Sequence, residues 1–65
     1  MNYYLWSQEY LYNAEILNEL IESLKDKRQG SPPWECKEID EKINYYRQMR
    51  YDFIRIANKL MQRAT

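Results

Sequence analysis

Apolar positions along this chain fall into two heptad stripes that mirror each other. In the first half Tyr3, Trp6, Tyr10, Asn13, Leu17, Leu20 and Leu24 alternate steps of three and four residues. In the second half Cys36, Ile39, Ile43, Tyr46, Arg50, Phe53, Ala57 and Leu60 do the same. That spacing keeps one face of an α-helix turned toward a partner helix. Between the stripes lie Gly30, Pro32 and Pro33, and no other glycine or proline occurs in the 65 residues. The pattern therefore predicts helix, turn, helix, with helices over about 3–28 and 32–63. At 1.5 Å per residue these are roughly 40–45 Å long. A turn this short forces them antiparallel.

Folding the stripes together pairs residues whose numbers sum to 63. Leu24 meets Ile39, Leu20 meets Ile43, Leu17 meets Tyr46, Tyr10 meets Phe53, Trp6 meets Ala57, and Tyr3 meets Leu60. In this register Asn13 lands on Arg50, a polar layer of the kind that fixes alignment in coiled coils at some cost in stability. Glu9, one turn from Asn13, is placed to supply a carboxylate to the arginine.

The ends of the helices carry expectations of their own. Asn2 can cap the first helix, and Lys25, Lys27 and Arg28 suit the negative end of its dipole. Gly30 is expected to close it in the left-handed conformation. Ser31 is the expected cap of the second helix, with Pro32 in its first turn and Glu35 adding a favourable charge there.

A two-helix contact needs only the stripes, and this chain has a surplus. Tyr4, Leu5, Leu11, Tyr12, Ala14, Ile16 and Ile21 add to the first helix. Tyr45, Met49, Tyr51, Ile54, Ile56 and Met61 add to the second. Most lie at the end away from the turn, whereas Lys25 to Asp40 is strongly charged. Two helices of this length bury little apolar surface for their size. The surplus therefore predicts a homodimer, two hairpins forming a four-helix bundle, or a docking surface for another protein. Tyr4, Leu5, Leu11, Tyr12, Met49, Ile54, Ile56 and Met61 are the expected interface.

Charge adds to this picture. The chain has ten basic and ten acidic residues. Residues 1–24 hold Glu9, Glu15, Glu19 and Glu22 and no base, a charge of −4, while residues 41–65 carry +4. Opposite charge on the two segments favours their pairing. Arg47, Arg55, Lys59 and Arg63 are spread over several faces beside an acidic helix, so direct nucleic-acid binding is not expected, because phosphate affinity needs a concentrated positive footprint.

Candidate chemistry is sparse. There is no histidine and a single cysteine, Cys36. That excludes an intrachain disulfide and Ser/His or Cys/His catalysis, and the common zinc patterns are absent. Cys36 on an apolar stripe reads as a small buried hydrophobe, with a reactive thiol as the other possibility. No glycine-rich phosphate loop is present, and no cofactor or metal is expected. No segment approaches a membrane span and the N-terminus lacks a basic n-region, so a cytoplasmic protein without a membrane partner is expected.

Residues 36–46 read Cys-Lys-Glu-Ile-Asp-Glu-Lys-Ile-Asn-Tyr-Tyr. This segment resembles the signature of the small sporulation-type aspartyl-phosphate phosphatases, two-helix hairpins with a Ser-Gln-Glu-Leu-Asp motif on the second helix. Glu38, Asp40, Ile43 and Tyr46 fall on that pattern, Ile39 stands for the Leu, and Cys36 and Lys37 stand for the Ser and Gln. The resemblance implies binding to a response regulator and hydrolysis of its aspartyl phosphate, with Glu38 and Asp40 as the residues involved. The Tyr-Leu start, the Ser/Gly/Pro turn and the long second helix are also similar to the N-terminal hairpins of phage-type transcriptional regulators in Gram-positive bacteria. That likeness implies a small interaction protein. The residues themselves favour a non-enzymatic regulatory or adaptor protein acting by protein contact.

Overall fold

A computed structural model describes residues 1–64. It contains two helices, α1 over Tyr3–Gln29 and α2 over Pro33–Ala64. They pack side by side as an antiparallel hairpin measuring 49 × 14 × 13 Å. The expected fold class is thus present, with each boundary within one residue of its expected place.

The N-terminus of α1 follows expectation, since Asn2 Oδ1 accepts the Leu5 N–H at 3.0 Å. The turn does not. Gly30 sits at φ −102°, ψ 9°, and no described residue has a positive φ. Short bonds tighten the last turn of α1 instead: the Gly30 N–H donates to Lys27 O and the Ser31 N–H to Arg28 O, both at 3.2 Å. Ser31 also turns backward, its hydroxyl donating to Lys27 O at 2.8 Å, so it closes α1 and does not cap α2. Pro32 O accepts the Glu35 and Cys36 N–H groups at 3.0 and 2.9 Å and starts α2. Pro33 then occupies the first helical position, where a missing N–H is harmless. Cys36 is half-buried under this turn, and its thiol lies 3.4 Å from both Arg28 O and Ser31 O. Its single S–H can donate weakly to either carbonyl, so Cys36 is more than a simple hydrophobe.

Packing of α2 follows the expected stripe at every position, with Ile39, Ile43, Ala57 and Leu60 buried and the others half-buried. On α1 the shared positions hold. Leu17 is buried, Tyr3, Tyr10 and Leu24 are half-buried, and Tyr10 meets Phe53 edge-on with ring centroids 5.7 Å apart. The alternate positions shift by one residue. Ser7, Ala14 and Ile21 are interior, while Trp6, Asn13 and Leu20 are exposed. Steps of three-four and four-three both obey a heptad, and the two differ by a helix rotation of about 50°. Small volume decides between them. Ser7 and Ala57 are both 0% exposed, and such side chains let the backbones approach where an indole would hold them apart. Ser7 spends its hydroxyl within α1, donating to Tyr4 O at 2.6 Å.

Nearer the turn the interior is larger: Ile21, Ile39 and Ile43 form a buried cluster with Leu24 and Tyr46 packed against it. Between the two zones lies Arg50. The rotation removes Asn13 from its expected layer and puts Ala14 at that level instead. Glu9 is likewise exposed. Arg50 is half-buried, and its Nε is buried without a hydrogen-bond partner. An unsatisfied buried donor costs about 1–3 kcal/mol.

Two outcomes follow in thermal unfolding. Arg50→Leu removes the orphaned donor and fills the layer, so the melting temperature should rise by about 4–8 °C per kcal/mol recovered; a drop would show that the guanidinium holds a stabilising contact. Ser7→Leu should overpack the narrow end at a cost of about 1–3 kcal/mol, whereas Ser7→Ala should be close to neutral.

Candidate functional site

Helical periodicity sorts the side chains left outside this narrow interior. On α1 one flanking row runs Trp6, Asn13, Leu20, Lys27 and the other Tyr4, Leu11, Asn18, Lys25, each at seven-residue steps. On α2 the rows are Glu35, Lys42, Met49, Ile56 and Asp40, Arg47, Ile54, Met61. Two interhelical ion pairs show which rows adjoin. Lys27 Nζ lies 3.6 Å from Glu35, which joins the Trp6 row to the Met49 row. Arg28 forks onto Asp40 through Nε at 2.7 Å and a terminal nitrogen at 3.2 Å, on the opposite side of the hairpin. The hairpin therefore has a Trp6 face and a Leu11 face.

The Trp6 face carries Trp6, Leu20, Met49 and Ile56, with Ile16 and Tyr45 at its edges. Trp6 is 39% exposed and Ile16 45%. The Leu11 face carries half-buried Leu11, Ile54 and Met61, flanked by exposed Tyr4 and Tyr51. Leu5 and Tyr12 stand on the outer ridge of α1, and Tyr12 is 69% exposed. The expected interface residues are thus distributed over two faces and a ridge rather than gathered in one patch. Trp6 and Leu20 join the exposed set because of the rotation of α1. Trp34, 69% exposed where α2 begins, is a surface aromatic that the heptad pattern gave no reason to single out.

Glu38 and Asp40 do not converge. Two residues apart on a helix, they point to nearly opposite sides. Glu38 lines a shallow groove with Glu41, Lys42, Tyr45 and Tyr46. Asp40 lines another with Arg28, Pro33, Cys36, Lys37, Glu41 and Asn44. Its carboxylate is engaged by Arg28, whose pKa is raised by that hydrogen bond first and by the charge of Asp40 second. The guanidinium therefore stays protonated through the whole working range of pH. This arrangement offers a charged latch beside the turn, not a pair of carboxylates aimed at one substrate atom.

Among the described residues, no helix is long and apolar enough to cross a membrane. No family model, curated protein or solved structure matches this chain.

Removing the latch gives a local test. Asp40→Ala should speed amide exchange in residues 26–36 while the helical content and the exchange of Ile39 and Ile43 stay as they were. Equal acceleration throughout would mean that the latch supports the whole hairpin.

Proposed function

We propose that this chain is a small non-enzymatic regulatory or adaptor protein of the cytoplasm that works through protein contact, as a homodimer. One observation carries the reading. The interior at the chain-terminal end takes Ser7, Ala14 and Ala57 beside Tyr10, Phe53 and Leu60, while the large apolar Trp6, Leu20 and Ile56 lie exposed outside it. Large apolar groups arranged in rows on a surface are the composition of contact faces. The apolar members of each face follow the helix axes from the chain ends past the middle, which suits a helical partner laid alongside them.

The phosphatase reading draws less support, because Asp40 is latched to Arg28 and Glu38 lies on another side of α2. A phosphorylated receiver domain distinguishes the two. Loss of phosphoryl groups should proceed at the same rate with the protein, with Glu38→Gln, and with buffer. Acceleration that disappears in Glu38→Gln would overturn the non-enzymatic reading. Sedimentation equilibrium at tens of micromolar should give twice the chain mass; a monomer there would remove self-association and leave the faces to an unrelated partner.

A further inference from the structure

We infer that the Trp6 face is covered by a second copy of this chain lying end-for-end, with the turns at opposite ends of a four-helix bundle. This rests on the self-associating reading above and goes beyond it by naming the face and the direction.

The surface is there to be covered. The hairpin exposes 5114 Å², against roughly 4,500 Å² for a compact monomer of its mass. A face 49 Å long and 14 Å wide supplies roughly 700 Å² per copy, hence on the order of 1,400 Å² for a pair, within the usual range for specific interfaces. Its apolar members run from Trp6 and Ile56 to Leu20 and Tyr45. When one copy is reversed about the level of Asn13 and Met49, which then meet their own equivalents at the twofold axis, the α1 part of the band overlays itself and Ile56 lies on the aliphatic stem of Lys42. In this register α1 residues meet across the axis at a sum of 26 and α2 residues at about 98. Trp6 of one copy meets Leu20 of the other, twice.

Individual rim pairs, rather than the net charge of each helix, favour this direction. Residues 17–46, the turn half, hold seven acids and five bases, and the remaining residues hold three and five. Each hairpin thus carries −2 at the turn half and +2 at the other. Reversal brings Glu38 to Lys59 and Glu35 to Arg63 across the α2–α2 contact, again twice. The same-end alternative lays α1 of each copy over α2 of the other, where the repulsive Glu9–Asp52 pair offsets the attractive Lys27–Glu35 pair, each formed twice, so the rim pairs favour reversal. Pairing of unlike rim charges mainly fixes register and partner choice, which is the role required here.

The experiment uses the full chain with Cys36→Ser and a single spin label at Gln29→Cys, beside the turn and off the face. End-for-end packing places the labels at close to the 49 Å length of the hairpin. Same-end packing places them about 20 Å apart, two interhelical spacings, and would overturn the direction while leaving the dimer intact. Sedimentation then reads the face. Ile16→Glu and Leu20→Glu should each weaken the dimer by roughly tenfold or more, with circular dichroism confirming that the helices remain, whereas Tyr4→Glu and Tyr51→Glu on the other side should leave it unchanged. The reverse pattern would overturn the assignment of the face. Glu38→Lys should weaken association at low salt, and Glu38→Lys with Lys59→Glu should restore it. These two residues are 21 positions apart on one helix and cannot touch within a copy, so absence of rescue also counts against the reversed register. A monomeric parent chain would refute both this inference and the homodimer reading.

Discussion

The narrowness of the interface between the two helices governs the rest of the molecule. Over the chain-terminal half the small side chains Ser7, Ala14 and Ala57 alternate in the interface with Tyr10, Phe53 and Leu60. They fix how closely the backbones approach, and so set the rotation of α1 about its own axis. Close approach at Ser7 and Ala57 leaves no room there for Trp6, which goes to a flank, and Leu20 follows it because the rotation that admits Ser7 and Ala14 also brings Ile21 inward. The buried hydroxyl of Ser7 is tolerated because it is satisfied within its own helix, which removes the usual penalty for a polar group in a core.

The turn half is built differently. There Ile21, Ile39 and Ile43 supply most of the apolar burial, and two ion pairs plus the Cys36 thiol tie the short connection together. Exposed ion pairs contribute little energy individually. Their value is geometric, since Lys27–Glu35 and Arg28–Asp40 sit on opposite sides of the hairpin and hold α1 against turning about its axis. Arg50 lies at the junction of the two zones with a buried Nε that finds no partner. It is the point of local conflict in an otherwise consistent hairpin, and relieving such conflicts is a common way to gain stability.

The same division separates structure from candidate function. Lys27 with Glu35 and Arg28 with Asp40 are already engaged with one another near the turn, and the carboxylates that resemble a phosphatase signature are split between two sides of α2. Unsatisfied apolar surface is concentrated elsewhere, on rows running from the chain ends past the middle. A contact protein needs such surface and needs no convergent set of catalytic groups.

Sequence by itself determined the number of helices, their ends to within a residue, their antiparallel arrangement and the whole interior stripe of α2. It could do so because heptad spacing, the cluster of Gly30, Pro32 and Pro33, and the Asn2 cap act locally and agree. It also fixed every second interior position of α1, where Tyr3, Tyr10, Leu17 and Leu24 belong to both possible phases. Tertiary structure alone decided between Trp6 and Ser7, Asn13 and Ala14, Leu20 and Ile21. Hydrophobicity favours Trp6 over Ser7, but the space opposite Ala57 is set by two backbones at once, and side-chain volume in that space outweighs apolar character. The expected Asn13–Arg50 layer failed for the same reason. Which apolar residues face solvent, and therefore which face a second chain can cover, follows from a rotation of about 50° that no local pattern encodes.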